Sequence, residues 1–274
     1  MSQLESGMTS FKGPEHEVRA YLTRPAGSAP LPGLVLIHEI WGLTPHIRDV
    51  ADRFAREGFV VLAPDLMGSD PAIAPLFSEA NVEAVMRFMF TLPPGKMRDQ
   101  AFVQEELARL PQDQRTTVGT FFGTVFAGKL PFPRFAQELS AAYEDLKARG
   151  GVDASRIGSL GFCFGGTMSF KLACTGVTQA CVVFYGQNPD PLGLVEKINC
   201  PVLCNYGAED GLNATLDQLV GAMVRYKKDF EMRIYSGAAH AFFNDDNQYM
   251  YKPIAARQAW ALSLDFLKRN LGEH

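Results

Sequence analysis

The chain has 274 residues, of which 47% are hydrophobic and 20% charged, as in an ordinary globular protein with a substantial core. Its 26 Lys and Arg residues against 30 Asp and Glu residues give a net charge of -4 without a basic block, which argues against nucleic acid as a partner. No apolar run approaches the roughly 20 residues that span a bilayer, and the first residues lack the apolar core of a secretion signal, so we expect a cytoplasmic protein with no membrane partner.

Six short apolar runs bounded by turn residues predict buried strands. They are Gly33 to His38, Phe59 to Ala63, Arg156 to Phe162, Ala180 to Tyr185, Pro201 to Tyr206 and Glu231 to Tyr235. Amphipathic patterns predict helices over His46 to Glu57, Phe135 to Arg149, Leu216 to Asp229 and Tyr249 to Leu271. Because strands that alternate with helices form parallel sheets, the sequence predicts one α/β domain over residues 1–274, with a mostly parallel, doubly wound sheet and helices on both faces.

Two segments depart from this alternation. Glu15 to Thr23 alternates apolar and polar residues ahead of a turn-rich stretch, which predicts an antiparallel edge strand. Residues 67–134 mix helix-like pieces with proline-, glycine- and phenylalanine-rich pieces. We interpret this second segment as a helical insertion over one face of the sheet, in the position of a lid.

The sequence Gly161-Phe162-Cys163-Phe164-Gly165-Gly166 directly follows a predicted strand and opens a helical pattern. That context is typical of a G-x-nucleophile-x-G elbow, in which a sharp strand-to-helix turn presents the nucleophile above the sheet. A Cβ atom at either flanking glycine would collide with the neighbouring backbone. The helix N-terminus beneath Cys163 favours a thiolate. The alternative is a tight strand–helix junction that buries an unreactive cysteine.

An acid and a histidine follow the elbow, each just beyond a predicted strand. Asp210 lies in NYGAED, with Glu209 as the rival acid, and His240 ends SGAAH. The order nucleophile, acid, histidine is that of the α/β-hydrolase fold, and the carboxyl ends of parallel strands gather at one edge of the sheet. We therefore predict Cys163 as nucleophile, His240 as its base and Asp210 as the residue that orients the base.

A third loop follows the strand that ends at His38, and its sequence is HEIWG. In this fold that position supplies the second backbone amide of an oxyanion hole. We expect the N–H groups of Ile40 and Phe164 to bind the developing oxyanion. HEIWG is not HExxH, so the sequence does not predict a zinc protease, and the chemistry needs no metal or cofactor.

These motifs resemble the dienelactone hydrolase family, the carboxymethylenebutenolidases. Glu39 in HEIWG, Cys163 in GFCFGG, Asp210 in GAEDG and His240 in GAAHAFFN fall where that family carries its working residues. The resemblance covers the chain apart from residues 67–134. It implies a cysteine-dependent hydrolase of small esters or lactones that forms a thioester on Cys163, in which Glu39 takes the thiol proton when substrate binds.

The resemblance also bears on the substrate. Tyr185 in VVFYG resembles the family's substrate-facing tyrosine, with a core tyrosine as the alternative, and Trp41 is a further candidate contact. Family members that act on dienelactones bind the ligand carboxylate with arginines, one of them four residues after the histidine, where this chain has Asn244. The family's other carboxylate-binding arginine belongs to the region without a clear counterpart here, so its place is open between Arg87, Arg98, Arg134 and no arginine at all.

The substrate is therefore open between an anionic dienelactone and a neutral, more apolar ester. Five phenylalanines of the insertion would cover a neutral ester or simply belong to the core. They are Phe121, Phe122, Phe126, Phe132 and Phe135.

Two other classes of function are alternatives to the hydrolase. The first is a non-catalytic protein that binds a small molecule on a hydrolase fold, and the intact set of chemical groups argues against it. The second is a redox role for Cys163, which would need a nearby resolving cysteine. Cys174 is about three helical turns away, and the five cysteines include no CxxC pair, so we expect free thiols. We expect a monomer or a small homo-oligomer.

Overall fold

Eight strands form one sheet in a computed structural model that describes residues 3–27, 29–93, 96 and 99–272. The strands are β1 (Leu4–Lys12), β2 (Glu17–Pro25), β3 (Leu31–Ile37), β4 (Val60–Pro64), β5 (Val152–Phe162), β6 (Cys181–Phe184), β7 (Val202–Gly207) and β8 (Phe230–Tyr235). Their order across the sheet is β1-β2-β4-β3-β5-β6-β7-β8. The pairs from β4 to β8 are parallel, whereas β1 with β2 and β2 with β4 are antiparallel.

The helices of the described chain lie between the strands and after the last of them. They are α1 (Pro45–Arg56), α2 (Glu79–Thr91), α3 (Gln100–Ala108), α4 (Gln112–Phe121), α5 (Phe132–Ala148), α6 (Phe164–Ala173), α7 (Leu216–Arg225) and α8 (Pro253–Leu271). None of these helices is both long enough and apolar enough to span a membrane.

Alternate residues of the central strands bury two cores, one on each face of the sheet. In β3, Leu34 and Leu36 contact a core built with α1, α7 and α8. Val35 and Ile37 face the opposite core, to which the four helices described between β4 and β5, α2 to α5, contribute side chains. Every residue of β4 and β7 is buried, as expected for parallel strands covered on both sides. The predicted α/β fold is therefore confirmed.

The antiparallel side of the sheet differs from the prediction. The segment predicted as an edge strand forms β2, but the edge of the sheet is β1, which pairs with β2 from Leu4 to Lys12. The prediction of an edge position was wrong because β1 carries no apolar alternation, and five of its nine residues are exposed. Phe11 is the one buried residue of β1, so backbone pairing with β2 is its main attachment to the sheet.

Two predicted helices have shorter ends in the structure. The helix α7 stops at Arg225, since Lys227 adopts a positive φ of 53°, which an α-helix does not allow. The helix α8 begins at Pro253, whose fixed φ suits the first helical turn and which has no N–H to donate.

The segment between β4 and α5 contains α2, α3, α4 and a π-helical turn at Phe122–Phe126. Side chains from this segment, among them Val85, Val118 and Phe121, pack into the core that Val35 and Ile37 face. The segment thus covers the face of the sheet that carries Val35 and Ile37, where Phe164 at the start of α6 is also buried.

Candidate active site

Cys163 lies in a strained turn between β5 and α6. Its φ of 55° and ψ of -115° are rare for a residue with a side chain, and such a conformation costs about 1–3 kcal/mol. A Cβ atom at Gly161 would collide with the carbonyl of Gly165, and one at Gly165 would collide with the carbonyls of Ile37 and His38. The two glycines therefore bring the start of α6 against the ends of β5 and β3, as the elbow motif predicts.

His240 connects Cys163 with Asp210. The Nδ1 atom of His240 lies 2.7 Å from Oδ2 of Asp210, and the other oxygen of Asp210 accepts the N–H of Leu212 at 2.9 Å. The Cys163 side chain lies next to His240 and raises the pKa of its imidazole. Because Asp210 occupies Nδ1, we assign the contact with the sulfur to Nε2. The rival acid, Glu209, is exposed.

The electrostatics of this arrangement favour a charged imidazole. Burial lowers the pKa of His240, but the Cys163 sulfur and the hydrogen bond that His240 donates to Asp210 outweigh it, so that the pKa lies well above its ordinary value. A protonated imidazole in this position can donate a hydrogen bond or a proton to a group bound beside Cys163.

Glu39 is a buried carboxyl group held by two donors. It follows β3, is 3% exposed, and accepts the hydroxyl of Tyr185 at 3.4 Å and the side-chain amide of Asn244 at 2.7 Å. Burial, followed by the nearby charges of Glu39 and Cys163, raises the pKa of Tyr185 well above its usual value, so the phenol keeps its proton. Three sequence-predicted residues thus form one hydrogen-bonded group next to Cys163.

Tyr185 and Asn244 are both buried. The Tyr185 ring lies 5.1 Å from the ring of His240, and its φ of 40° places it in a second strained turn at the end of β6. The Asn244 oxygen accepts the backbone N–H of Asp246 at 3.1 Å, so both ends of its amide are used. In the structure Asn244 is therefore a partner of Glu39.

Ile40 and Phe164 lie at the ends of neighbouring strands, since β3 pairs with β5. Neither backbone N–H donates to an acceptor within the part of the chain described here. The Phe164 N–H is free because it belongs to the first turn of α6. The arrangement leaves two unused donors at the edge of the sheet where Cys163 is presented.

Trp41 joins this loop to the insertion. Its ring stacks on Phe121 with centroids 5.9 Å apart. Phe132 and Phe135 lie 5.6 Å and 5.7 Å from the ring of Phe164, beside the turn at Cys163. Of the five phenylalanines singled out in the sequence, Phe121, Phe122 and Phe135 are buried, Phe132 is half-buried, and Phe126 is exposed.

Of the three candidate arginines, the two that the structure describes pair with carboxylates away from Asn244. Arg87 is exposed and pairs with Glu83 at 2.7 Å, while Arg134 pairs with the buried Asp70. Arg98 lies outside the described residues.

One residue of the HEIWG motif, His38, was not predicted to have a role. It is fully buried, and both of its ring nitrogens contact backbone atoms. Its only sequence signal was its position beside Glu39 at the end of a strand.

One group among the described residues has ligand atoms close enough for a cation. It consists of His46, Asp245 and Asp246, with ligand atoms within 4.8 Å of one another. Asp245 already accepts from His46 at 2.9 Å and from Arg53 at 2.6 Å. Because the guanidinium of Arg53 balances this carboxylate, we interpret the group as an ion-pair network.

The mostly parallel sheet, the elbow between β5 and α6, and the acid and histidine beyond β7 and β8 define an α/β-hydrolase. Residues 18–271 match the model of the "Dienelactone hydrolase family". The chain is 35% identical over 254 residues to a "Putative carboxymethylenebutenolidase" of Saccharolobus solfataricus, covering 92% of this chain and 94% of that protein. It belongs to the dienelactone hydrolase family and is a hydrolase of that family.

Two further similarities agree with this assignment. A "Probable 2-oxo-3-(5-oxofuran-2-ylidene)propanoate lactonase" of Bradyrhizobium sp is 28% identical over 264 residues, covering 92% of this chain and 89% of that protein. The crystal structure of a dienelactone hydrolase from Anabaena variabilis has a TM-score of 0.62 at 16% identity, covering 98% of this chain and 99% of the other. At that identity the second similarity establishes the shared fold.

Proposed function

We propose that the protein is a cysteine-dependent hydrolase of small esters or lactones that acts through a thioester on Cys163. The observation that carries this proposal is the contact chain from Cys163 through His240 to Asp210, placed at a strained elbow at the edge of a parallel sheet. A nucleophile, a base in contact with it and a third group that orients the base are the components of nucleophilic acyl transfer.

The proposed reaction has two halves. The sulfur of Cys163 forms a bond to the carbonyl carbon, the electron pair of the C=O bond moves to oxygen, and the amides of Ile40 and Phe164 bind that oxyanion. When the C=O bond re-forms, the alkoxide leaves with a proton from His240. His240 then takes a proton from water as the water oxygen attacks the thioester, and the thiolate is released with the acid product.

Glu39 is the second group assigned to the activation of Cys163. In the structure the Glu39 carboxylate accepts from Tyr185 and Asn244, and we infer that it exchanges one of these bonds for the thiol of Cys163 when it takes the thiol proton. We propose that substrate binding causes this exchange, with Tyr185 and Trp41 in contact with the substrate. Glu39→Gln then slows formation of the thioester while leaving its hydrolysis unchanged, which single-turnover kinetics would measure. Equal rates in the variant and the wild type would remove Glu39 from this step.

We further propose that the substrate is neutral rather than an anionic dienelactone. The amide of Asn244 stands where a carboxylate-binding arginine is expected, and it is bound to Glu39. Arg87 and Arg134, which the sequence left as replacements, are paired with carboxylates elsewhere. A buried carboxylate without a paired cation is costly, so a pocket of this composition favours an uncharged acyl group.

The test compares p-nitrophenyl acetate with cis- and trans-dienelactone as substrates of the wild type and of Cys163→Ala, with the acyl-enzyme sought by mass spectrometry. We expect turnover by the wild type, an acetyl adduct on Cys163, no turnover by Cys163→Ala, and a higher kcat/KM for the neutral ester. Near-wild-type turnover by Cys163→Ala would contradict the mechanism. Absence of turnover and of acylation in the wild type would favour a non-catalytic binding protein, and a preference for the dienelactones would contradict the neutral substrate.

A further inference from the structure

His38 uses both ring nitrogens at the end of β3. The backbone N–H of Leu66 points at Nε2 from 3.1 Å, and Nδ1 lies 2.6 Å from the carbonyl oxygen of Glu39. A backbone N–H can only donate, so Nε2 must accept and cannot carry a proton. The proton of the neutral ring is therefore on Nδ1, and His38 donates it to the Glu39 carbonyl.

That carbonyl has a second donor, the N–H of Gly42 at 3.3 Å, which closes a tight turn over HEIWG. Two donors fix the orientation of the peptide group that joins Glu39 to Ile40. In a trans peptide the C=O and N–H bonds point in opposite directions. Fixing the Glu39 oxygen on the inner side of the loop therefore fixes the Ile40 N–H on the other side, where it has no acceptor within the described chain.

We propose that His38 is a positioning residue for the oxyanion hole: its Nδ1–H bond to the Glu39 carbonyl orients the Ile40 amide toward the oxyanion formed on the substrate. This inference rests on the proposed function, since it assigns a role within that reaction. His38 touches no reacting atom. Its ring lies 6.0 Å from the ring of Phe164, so the same side chain packs against the residue that carries the other amide.

The alternative is that His38 only joins two strand ends, because Leu66 follows β4 and His38 follows β3. Two substitutions separate these roles. In His38→Asn, the side-chain NH₂ takes the place of Nδ1 and can still donate to the Glu39 carbonyl, while the acceptor for Leu66 is lost. In His38→Gln, the side-chain oxygen takes the place of Nε2 and can still accept from Leu66, while the donor to Glu39 is lost.

Two rates measured on each variant report on the oxyanion hole separately from the nucleophile. Acylation of Cys163 by p-nitrophenyl acetate forms an oxyanion, whereas alkylation by iodoacetamide displaces iodide at a saturated carbon and forms none. Removal of an oxyanion-hole donor costs about 10²–10³-fold in kcat, and Gly42 still holds the carbonyl in these variants. We therefore expect His38→Gln to lower the acylation rate about tenfold.

His38→Gln should leave alkylation unchanged, and His38→Asn should keep acylation near the wild-type rate. Each variant loses one buried hydrogen bond, so their urea midpoints should fall by similar amounts. Equal acylation rates in the two variants, or parallel loss of acylation and alkylation, would overturn the inference. If Cys163→Ala is inactive while the two His38 variants behave alike, the positioning role fails and the proposed hydrolase remains.

A measurement on the unsubstituted protein tests the same bond without a variant. Nitrogen-15 NMR of the histidine-labelled wild type should show His38 as the neutral tautomer with its proton on Nδ1. A proton on Nε2 would overturn the inference, since His38 would then have no donor for the Glu39 carbonyl.

Discussion

Replacing Asn244 by aspartate tests the buried contact that distinguishes this site. The amide nitrogen of Asn244 lies 2.7 Å from Oε2 of Glu39, and the two residues are 6% and 3% exposed. Asn244→Asp is nearly isosteric, so it replaces a donor by a second carboxylate in the same place. At an effective dielectric of about 20, two unit charges roughly 4 Å apart repel by about 4 kcal/mol, or about 3 pKa units.

The pair should therefore retain one proton that the unfolded chain releases. Unfolded carboxyl groups titrate near pH 4, and the folded pair titrates above that, so the folded state binds more protons between the two values. Stability relative to the wild type should then fall by about 1.4 kcal/mol for each pH unit in that window, toward a limit of about 4 kcal/mol. Below pH 4 the substitution should cost least.

The assay is urea unfolding of wild type, Asn244→Asp and Asn244→Leu from pH 4 to pH 8. The leucine variant removes the Asn244 donor to Glu39 but adds no ionisable group, so its deficit relative to the wild type should change far less with pH. Parallel stability curves for the aspartate variant and the wild type would refute the reasoning, because they would mean that the two carboxyl groups separate or reach water.

The remaining predictions concern the orienting acid, the elbow and a buried carboxyl group away from the site. Asp210→Asn should lower kcat at least about 10²-fold, whereas Glu209→Gln at the exposed rival acid should leave it unchanged, and similar kinetics in the two would remove Asp210 from the mechanism. Gly165→Ala places a Cβ atom against backbone carbonyls and should lower the free energy of unfolding in urea by about 1–3 kcal/mol and remove most of the activity. Gly119→Ala, which has open space around it, should lower neither the stability nor the activity. Burial raises the pKa of Glu138 from 4.5 to about 7, so the folded protein keeps a proton that the unfolded chain releases. The stability of the wild type relative to Glu138→Gln should therefore fall from pH 4.5 to pH 7. A constant difference in urea midpoint across that range would contradict the shift.

The sequence by itself predicted the order of the central strands along the chain and the chemistry at their ends. Buried parallel strands need continuous apolar runs, and the elbow needs glycine on both sides of Cys163, so both leave a local pattern. The same patterns placed Glu39, Asp210 and His240 in loops at the carboxyl ends of strands. In the structure these loops meet at one edge of the sheet, as the parallel arrangement requires.

Only the tertiary structure decided which partners these residues have. Glu39 and Asn244 are separated by 205 positions in sequence and Glu39 and Tyr185 by 146, so no periodic pattern could pair them. The strand β1 was missed for a related reason, since an exposed edge strand is held by backbone hydrogen bonds that any sequence can make. The engagement of Arg134 with Asp70 and the position of the His38 proton likewise depend on neighbours that lie far apart along the chain. Local patterns record which residues are buried, whereas hydrogen-bond partners are set by the way the strands are ordered in the sheet.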